Sequence, residues 1–232
     1  MIKLEDIELE EYILGEKAHI AVPFELHMKN DGDITIVAYS FTKEIAEEFE
    51  KRYSSDPFSD EAKAFLHAKL DPVMEKLGYD CANATERITL EYRVDKVDES
   101  KILPECVIVD SLAYENWDDL PLDEFALYSE CEYDRMAVIR QNEKIVCFAG
   151  INDISQNDDF YELTVECESE YRRRGYASSC VALLTKYLLG IDCDVNYICT
   201  DDNVASKMTA ESAGFELYDK CLPFVCYREF DE

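Results

Sequence analysis

Between residues 160 and 190 the side-chain period changes, and a glycine sits at the change. "FYELTVEC" (160–167) alternates apolar and polar residues, the pattern of a strand with one buried face. "ASSCVALLTKYLLG" (177–190) instead repeats Val181, Leu184, Tyr187 and Leu188 at helical spacing and stops at Gly190. The flanking segments repeat the theme. "CVIVDS" (106–111) is a short apolar strand, and "MAVIR" (136–140) and "KIVCFAGIND" (144–153) flank a hairpin turn. "VNYICT" (195–200) is a buried strand, "NVASKMTAESAG" (203–214) a helix between an asparagine and a glycine, and "CLPFVCYREF" (221–230) a last strand. Strands, helix, strand, helix, strand make an α/β chain of the α+β kind, with helices packed on a mixed sheet.

The first hundred residues are less regular. "DITIVAYS" (33–40) and "RITLEYRV" (87–94) read as strands. "KEIAEEFEKRY" (43–53) and "DEAKAFLHAKLDPVMEKLG" (60–78) read as helices, the second interrupted near Pro72. The acidic stretch "DKVDESKILPE" (95–105) marks the boundary expected between a smaller α/β region, 1–100, and a larger domain, 101–232.

Composition narrows the function classes. Of 232 residues 47% are hydrophobic, enough for a buried core. With 52 acidic residues against 23 basic ones the net charge is −29, which argues against nucleic acid or an anionic membrane as partner; it permits a cationic substrate, while spread-out acidity more simply serves solubility. No apolar run approaches the ~20 residues that span a bilayer, and "MIKLEDIELEEYILGEK" lacks a signal-peptide pattern, so a cytoplasmic protein is expected. The ten cysteines are scattered without a CxxC pair, and His19, His27 and His67 stand apart from most of them. Packed free thiols, no disulfides and no metal are the expectation.

The segment "ESEYRRRGYA" has the chemistry of an anion cradle. The first N–H groups of a helix lack internal partners, and the helix dipole adds positive potential. Gly175 lets the backbone curl, Ala177 leaves the approach open, and Arg172, Arg173 and Arg174 supply charge. The alternative for the arginines is a solvated basic patch beside "ECESE". Arg172-Arg173-Arg174-Gly175-Tyr176-Ala177 resembles the R/Q-x-x-G-x-G/A signature of the GNAT-type N-acetyltransferases, in the strand-to-helix setting where that family carries it. "DDNVASKMTAESAGFELYD" resembles the family's next helix, opened by Asn203 and closed by "AGF". The resemblance covers residues 101–232 and implies a GNAT-like acyltransferase fold, with the 1–100 region contributing to the acceptor pocket or being a degenerate second copy.

It further implies acetyl-CoA as co-substrate. Amides of residues 173–177, including that of Tyr176, would bind its pyrophosphate, and the strand before them would splay near Val165 to Cys167 to receive the pantetheine arm and thioester. Asn203 would lie beside the pantetheine or serve as a plain N-cap. One departure stands out: the family's proton-donating tyrosine, seven residues after the asparagine, is here Ala210, and neither Tyr218 nor Tyr227 is selected as its replacement by spacing. For a catalytic base, Glu162 and Glu166 share one strand face, and burial among apolar neighbours would suit Glu162 to the role, the alternative being a solvent-facing position on a one-sided sheet. "WDDLPLDE" (117–124), with Asp118, Asp119, Asp123 and Glu124, would form an acidic acceptor wall or a solvated loop. The reading is an N-acetyltransferase acting on a small-molecule or peptide amine by direct attack in a ternary complex. The alternative is a non-catalytic acyl-CoA-binding protein.

Overall fold

The computed structural model describes residues 1–4, 18–110, 135–142, 144–154 and 160–228. The connection that holds Trp117, Asp118, Asp119, Asp123 and Glu124 lies outside them. The elements in chain order are β1 (Ile2–Leu4), β2 (Ile20–Lys29), β3 (Ile34–Ala38), α1 (Lys43–Tyr53), α2 (Asp60–Lys76), β4 (Asp80–Thr85), β5 (Thr89–Arg93) and β6 (Val107–Asp110). They continue with β7 (Arg135–Gln141), β8 (Lys144–Ile154), β9 (Phe160–Cys167), α3 (Tyr176–Leu189), β10 (Asp194–Thr200), α4 (Val204–Ala213) and β11 (Glu216–Tyr227). The chain is therefore mixed α/β, and it divides into two compact units, Met1–Leu90 with Asp219–Glu232 and Glu91–Tyr218.

In the first unit the strand order is β1-β3-β2-β11, with β4 also paired to β11. β1 runs parallel to β3, and β2 is antiparallel to β3 and to β11. Helices α1 and α2 bury Phe49, Leu66, Leu70 and Met74 against Phe24, Leu26, Ile36 and Phe224 of the strands. Phe24 and Phe49 meet edge to face with centroids 4.9 Å apart, the arrangement that the ring quadrupoles favour. Helix α2 starts where Ser59 Oγ accepts from Ala62 N–H, and it runs unbroken through Pro72 rather than being interrupted there. The cost of Pro72 is one helical bond, the one that Ala68 C=O would have accepted. Burial of Leu70 and Met74 on either side of it holds the helix together.

In the second unit the order is β5-β10-β9-β8-β7-β6. β6 to β9 form antiparallel neighbours, while β9 and β10 run parallel and are joined by α3, as a crossover requires. Helix α3 is apolar on most of its circumference, and Cys180, Val181, Leu184 and Leu188 are fully buried. It packs on β7, β8 and β9. Helix α4 begins at Asn203, whose side chain accepts from Ser206 N–H at 3.1 Å, and ends at Gly214 with φ of 103°. There Gly214 N–H and Phe215 N–H return to the last turn, at Glu211 O and Ala210 O. Segment 96–98 crosses this glycine closely, with Asp98 N–H donating to Ala213 O.

The contrast between two glycines is testable. A Cβ on Gly214 would stand 2.8 Å from Asp98 N, whereas one on Gly175, also at positive φ, would meet nothing within 4 Å. Gly175→Ala should cost about 1–2 kcal/mol, the left-handed penalty alone. Gly214→Ala should cost more, since segment 96–98 must also move. Thermal denaturation of the two variants checks this; equal midpoints would contradict it.

Candidate functional site

The parallel β9–β10 ladder pairs Phe160 with Asp194, Tyr161 with Val195 and Glu162 with Asn196, and there it ends. β9 continues to Cys167 with β8 alone as its ladder partner on that stretch. Glu168 N–H donates to Val146 O of β8, and strand backbone groups alternate in direction. The polar groups of Glu166 therefore point to β8, and those of Val165 and Cys167 point into the gap left by β10. The Cys167 carbonyl accepts a bond from Arg172 Nε at 3.0 Å.

Beyond the strand the chain makes a short 3-10 turn, Ser169–Tyr171, then the arginines. Arg173 adopts φ of 62° and Gly175 φ of 79°, so the backbone reverses twice before α3 begins. The first intrahelical bond runs from Ser179 N–H to Gly175 O, which leaves the N–H groups of Tyr176, Ala177 and Ser178 outside the helical ladder. No acidic side chain occupies the first turn of α3. An anion placed there meets three amides, the helix dipole and the arginine charges together.

A cavity of about 590 Å³ opens at this point. Its walls are Val165, Glu166 and Cys167 at the strand end, Tyr171, Arg172, Arg173, Gly175, Tyr176, Ala177 and Ser178 at the turn, and Asn203 with one face of α4. Eight of the sequence-derived residues thus come together, namely Val165, Cys167, Arg172, Arg173, Gly175, Tyr176, Ala177 and Asn203. Arg174 is placed apart from the walls; its Nη2 donates to Glu170 O and its guanidinium lies 5.1 Å from the Tyr171 ring centre. Glu162 is not a wall either. It is half-buried on the last rung of the β9–β10 ladder, opposite Asn196, at the root of the gap. Asn196 is 7% exposed, and its Oδ1 has no hydrogen-bond partner among the described residues.

Glu166, the second candidate base, is also a wall, and the wall residues not singled out by the sequence are Tyr171, Ser178 and the α4 face of Ala205, Ser206, Met208, Thr209 and Ser212. The helical spacing of that face was readable, but its residue types carry no chemical signature. Ala210 is fully buried and stands on no wall. Tyr176 stacks at 17° to Tyr171, and its hydroxyl accepts from Gln141 Nε2 at 3.2 Å. Tyr218 lies against Arg93, whose guanidinium carbon is 3.6 Å from its ring centre. Cys167 is 9% exposed and packs against Cys147, its register partner on β8. The adjacent Cys147 thiol, together with burial, holds the Cys167 thiol protonated well above the usual range, and its S–H donates to the Glu168 carbonyl at 3.8 Å. The thiolate that a nucleophile needs is suppressed there.

These placements separate the arginines by role. Arg172→Ala should weaken coenzyme A affinity about tenfold, through the lost charge and the freed Cys167 carbonyl. Arg174→Ala should change it little. Gly175→Asp, with room for its side chain but a negative charge in the cradle, should abolish binding in a folded protein. Calorimetric titration with coenzyme A measures all three; equal losses at Arg172 and Arg174 would contradict the assignment.

The acetyltransferase (GNAT) family model matches residues 103–215. Among solved structures, a GCN5-related N-acetyltransferase-like protein from Streptococcus suis is 18% identical with a TM-score of 0.44, covering 66% of this chain and 67% of that one. An acetyltransferase from the GNAT family of Colwellia psychrerythraea is 15% identical with a TM-score of 0.45, covering 66% and 61%. A GCN5-related N-acetyltransferase from Kribbella flavida is 13% identical with a TM-score of 0.48, covering 70% and 64%. No curated protein matches the chain in sequence.

Proposed function

We propose, from the match of residues 103–215 to the acetyltransferase (GNAT) family model, that the protein moves an acetyl group from acetyl-CoA to a primary amine in a ternary complex. The observation that carries this reading is the gap between β9 and β10 placed directly before the Gly175 turn. Such a site offers amides and arginines to a pyrophosphate and, a short distance away, strand backbone groups to an amide-bearing arm. Acetyl-CoA supplies the thioester and its leaving group. The protein supplies binding, orientation and a place for the moving proton.

The amides of Tyr176, Ala177 and Ser178 hold phosphate oxygens, with Arg172 and Arg173 neutralising charge. A backbone N–H of Val165 or Cys167 directed into the gap donates to the thioester oxygen as charge grows on it, an effect worth about 3 kcal/mol for a well-placed donor. Glu162, at the root of the gap, takes the proton of the attacking amine. The N–C bond forms, the C–S bond breaks, and the thiolate leaves with its electron pair. An ordinary thiol pKa near ~8.5 lets it depart without a dedicated donor, which fits the absence of a hydroxyl at Ala210. Direct attack is favoured over an acyl-cysteine because Cys167 is held as the thiol. The net charge of −29 concentrates cationic amines around the protein.

A second reading, a coenzyme-binding protein without turnover, is favoured by one observation: buried Ala210 at the position of the family's tyrosine. Thiol release from acetyl-CoA in the presence of a panel of amines separates the two. Release with one acceptor class is expected, and Glu162→Gln should lower kcat about 100-fold with the KM for acetyl-CoA nearly unchanged. The deficit should shrink at high pH, where the amine arrives already neutral. Tight coenzyme binding with no release from any amine would establish the second reading.

A further inference from the structure

In the first unit, strand alternation gathers a donor set that no stretch of sequence contains. β2 and β11 are antiparallel with His27 directly opposite Cys221 and Glu25 opposite Pro223. Residues two apart on a strand share a face, so Glu25, His27, Asp219 and Cys221 all project from one side of this strand pair. Glu25 Oε2 lies 3.2 Å from His27 Nε2, and Glu25 Oε1 lies 3.4 Å from Cys221 Sγ. One ligand atom from each of Glu25, His27 and Cys221 falls within 4.8 Å of the others. On the far side of the imidazole, Asp219 Oδ2 is 2.6 Å from His27 Nδ1, and Asp219 is nearly buried while Glu25 and His27 reach solvent.

We propose that Glu25, His27 and Cys221 form a binding site for Zn²⁺, with Asp219 orienting the histidine. Zinc–ligand bonds of about 2.0–2.3 Å at tetrahedral angles put ligand atoms about 3.3–3.8 Å apart, and the three donor atoms, already within 4.8 Å of one another, need only a small side-chain adjustment to reach that spacing. Thiolate, imidazole and carboxylate together suit zinc and exclude Mg²⁺ or Ca²⁺, which take oxygen ligands. The Asp219–His27 pairing fixes the tautomer that leaves Nε2 for the metal, an outer partner that metal-bound histidines commonly have. Three protein ligands leave a fourth position for water on the exposed side. Binding displaces the thiol proton of Cys221 and the proton shared by His27 and Glu25, and both pass to solvent.

The test uses the full chain without a histidine tag, stripped with a chelator and dialysed. Zn²⁺ is titrated against a chromophoric chelator, and Co²⁺ is used for absorption spectra. One equivalent should bind, and Co²⁺ should give a thiolate charge-transfer band in the near ultraviolet, with excess Mg²⁺ not competing. Cys221→Ser should remove the band, His27→Gln should weaken binding at least tenfold, and Asp219→Asn should weaken it about 10–100-fold with stoichiometry kept. Cys193→Ser, a thiol of the other unit, should change nothing. If His27→Gln does not fold, Glu25→Gln at a partly exposed position carries the same comparison. No stoichiometric binding by the folded chain, or a band unchanged in Cys221→Ser, overturns the site.

Discussion

The end of the β9–β10 ladder at Glu162 and Asn196 is the constraint on which the candidate site rests. Two parallel strands that stayed paired would spend their backbone groups on each other and present a closed surface. Because β10 turns away, β9 keeps a row of polar groups facing the gap, and the cavity forms beyond the fork. Helix α3 enforces this geometry. Its buried face of Cys180, Val181, Leu184 and Leu188 fixes it against the sheet, so its N-terminus is held beside the strand end. The turn between them has little freedom, and Gly175 at φ of 79° makes the reversal that a side chain would resist.

Charge works locally against the global field. A chain of net charge −29 repels a polyanion at long range, yet the turn puts Arg172 and Arg173 and the free amides of α3 within one small region. At about a Debye length, ~8 Å in physiological salt, distant acidic side chains are largely screened while the arginines act at contact. The same arrangement divides labour inside the triplet. Arg172 is tied to Cys167 O and Arg174 to Glu170 O, so neighbours in sequence face different surroundings.

Much of the second unit was legible because its elements carry local signals. The alternation of 160–167, the caps Asn203 and Gly214 and the apolar stripe of α3 each follow from residues near in sequence. The first unit was less so. β2, "IAVPFELHMK", carries no clear strand signal, since Pro23 argues against one and Glu25, His27 and Lys29 make one face charged. Of the two partners that raise the His27 pKa to about 9, Asp219 is distant in sequence, and Glu25, two residues away, is brought to the ring only by the strand. Pro72 reads locally as a helix breaker, yet packing of Leu70 and Met74 outweighs one lost hydrogen bond. Long-range pairing decides such positions, and a single sequence does not encode it in any local pattern.

The most direct measurement is an amide ¹H–¹⁵N spectrum of the protein recorded with and without acetyl-CoA. The account requires the largest shifts at Val165 to Cys167 and at Gly175 to Ser178, the two backbone stretches that meet at the cavity. Shifts confined to other residues, or none at millimolar coenzyme in a folded protein, would contradict it.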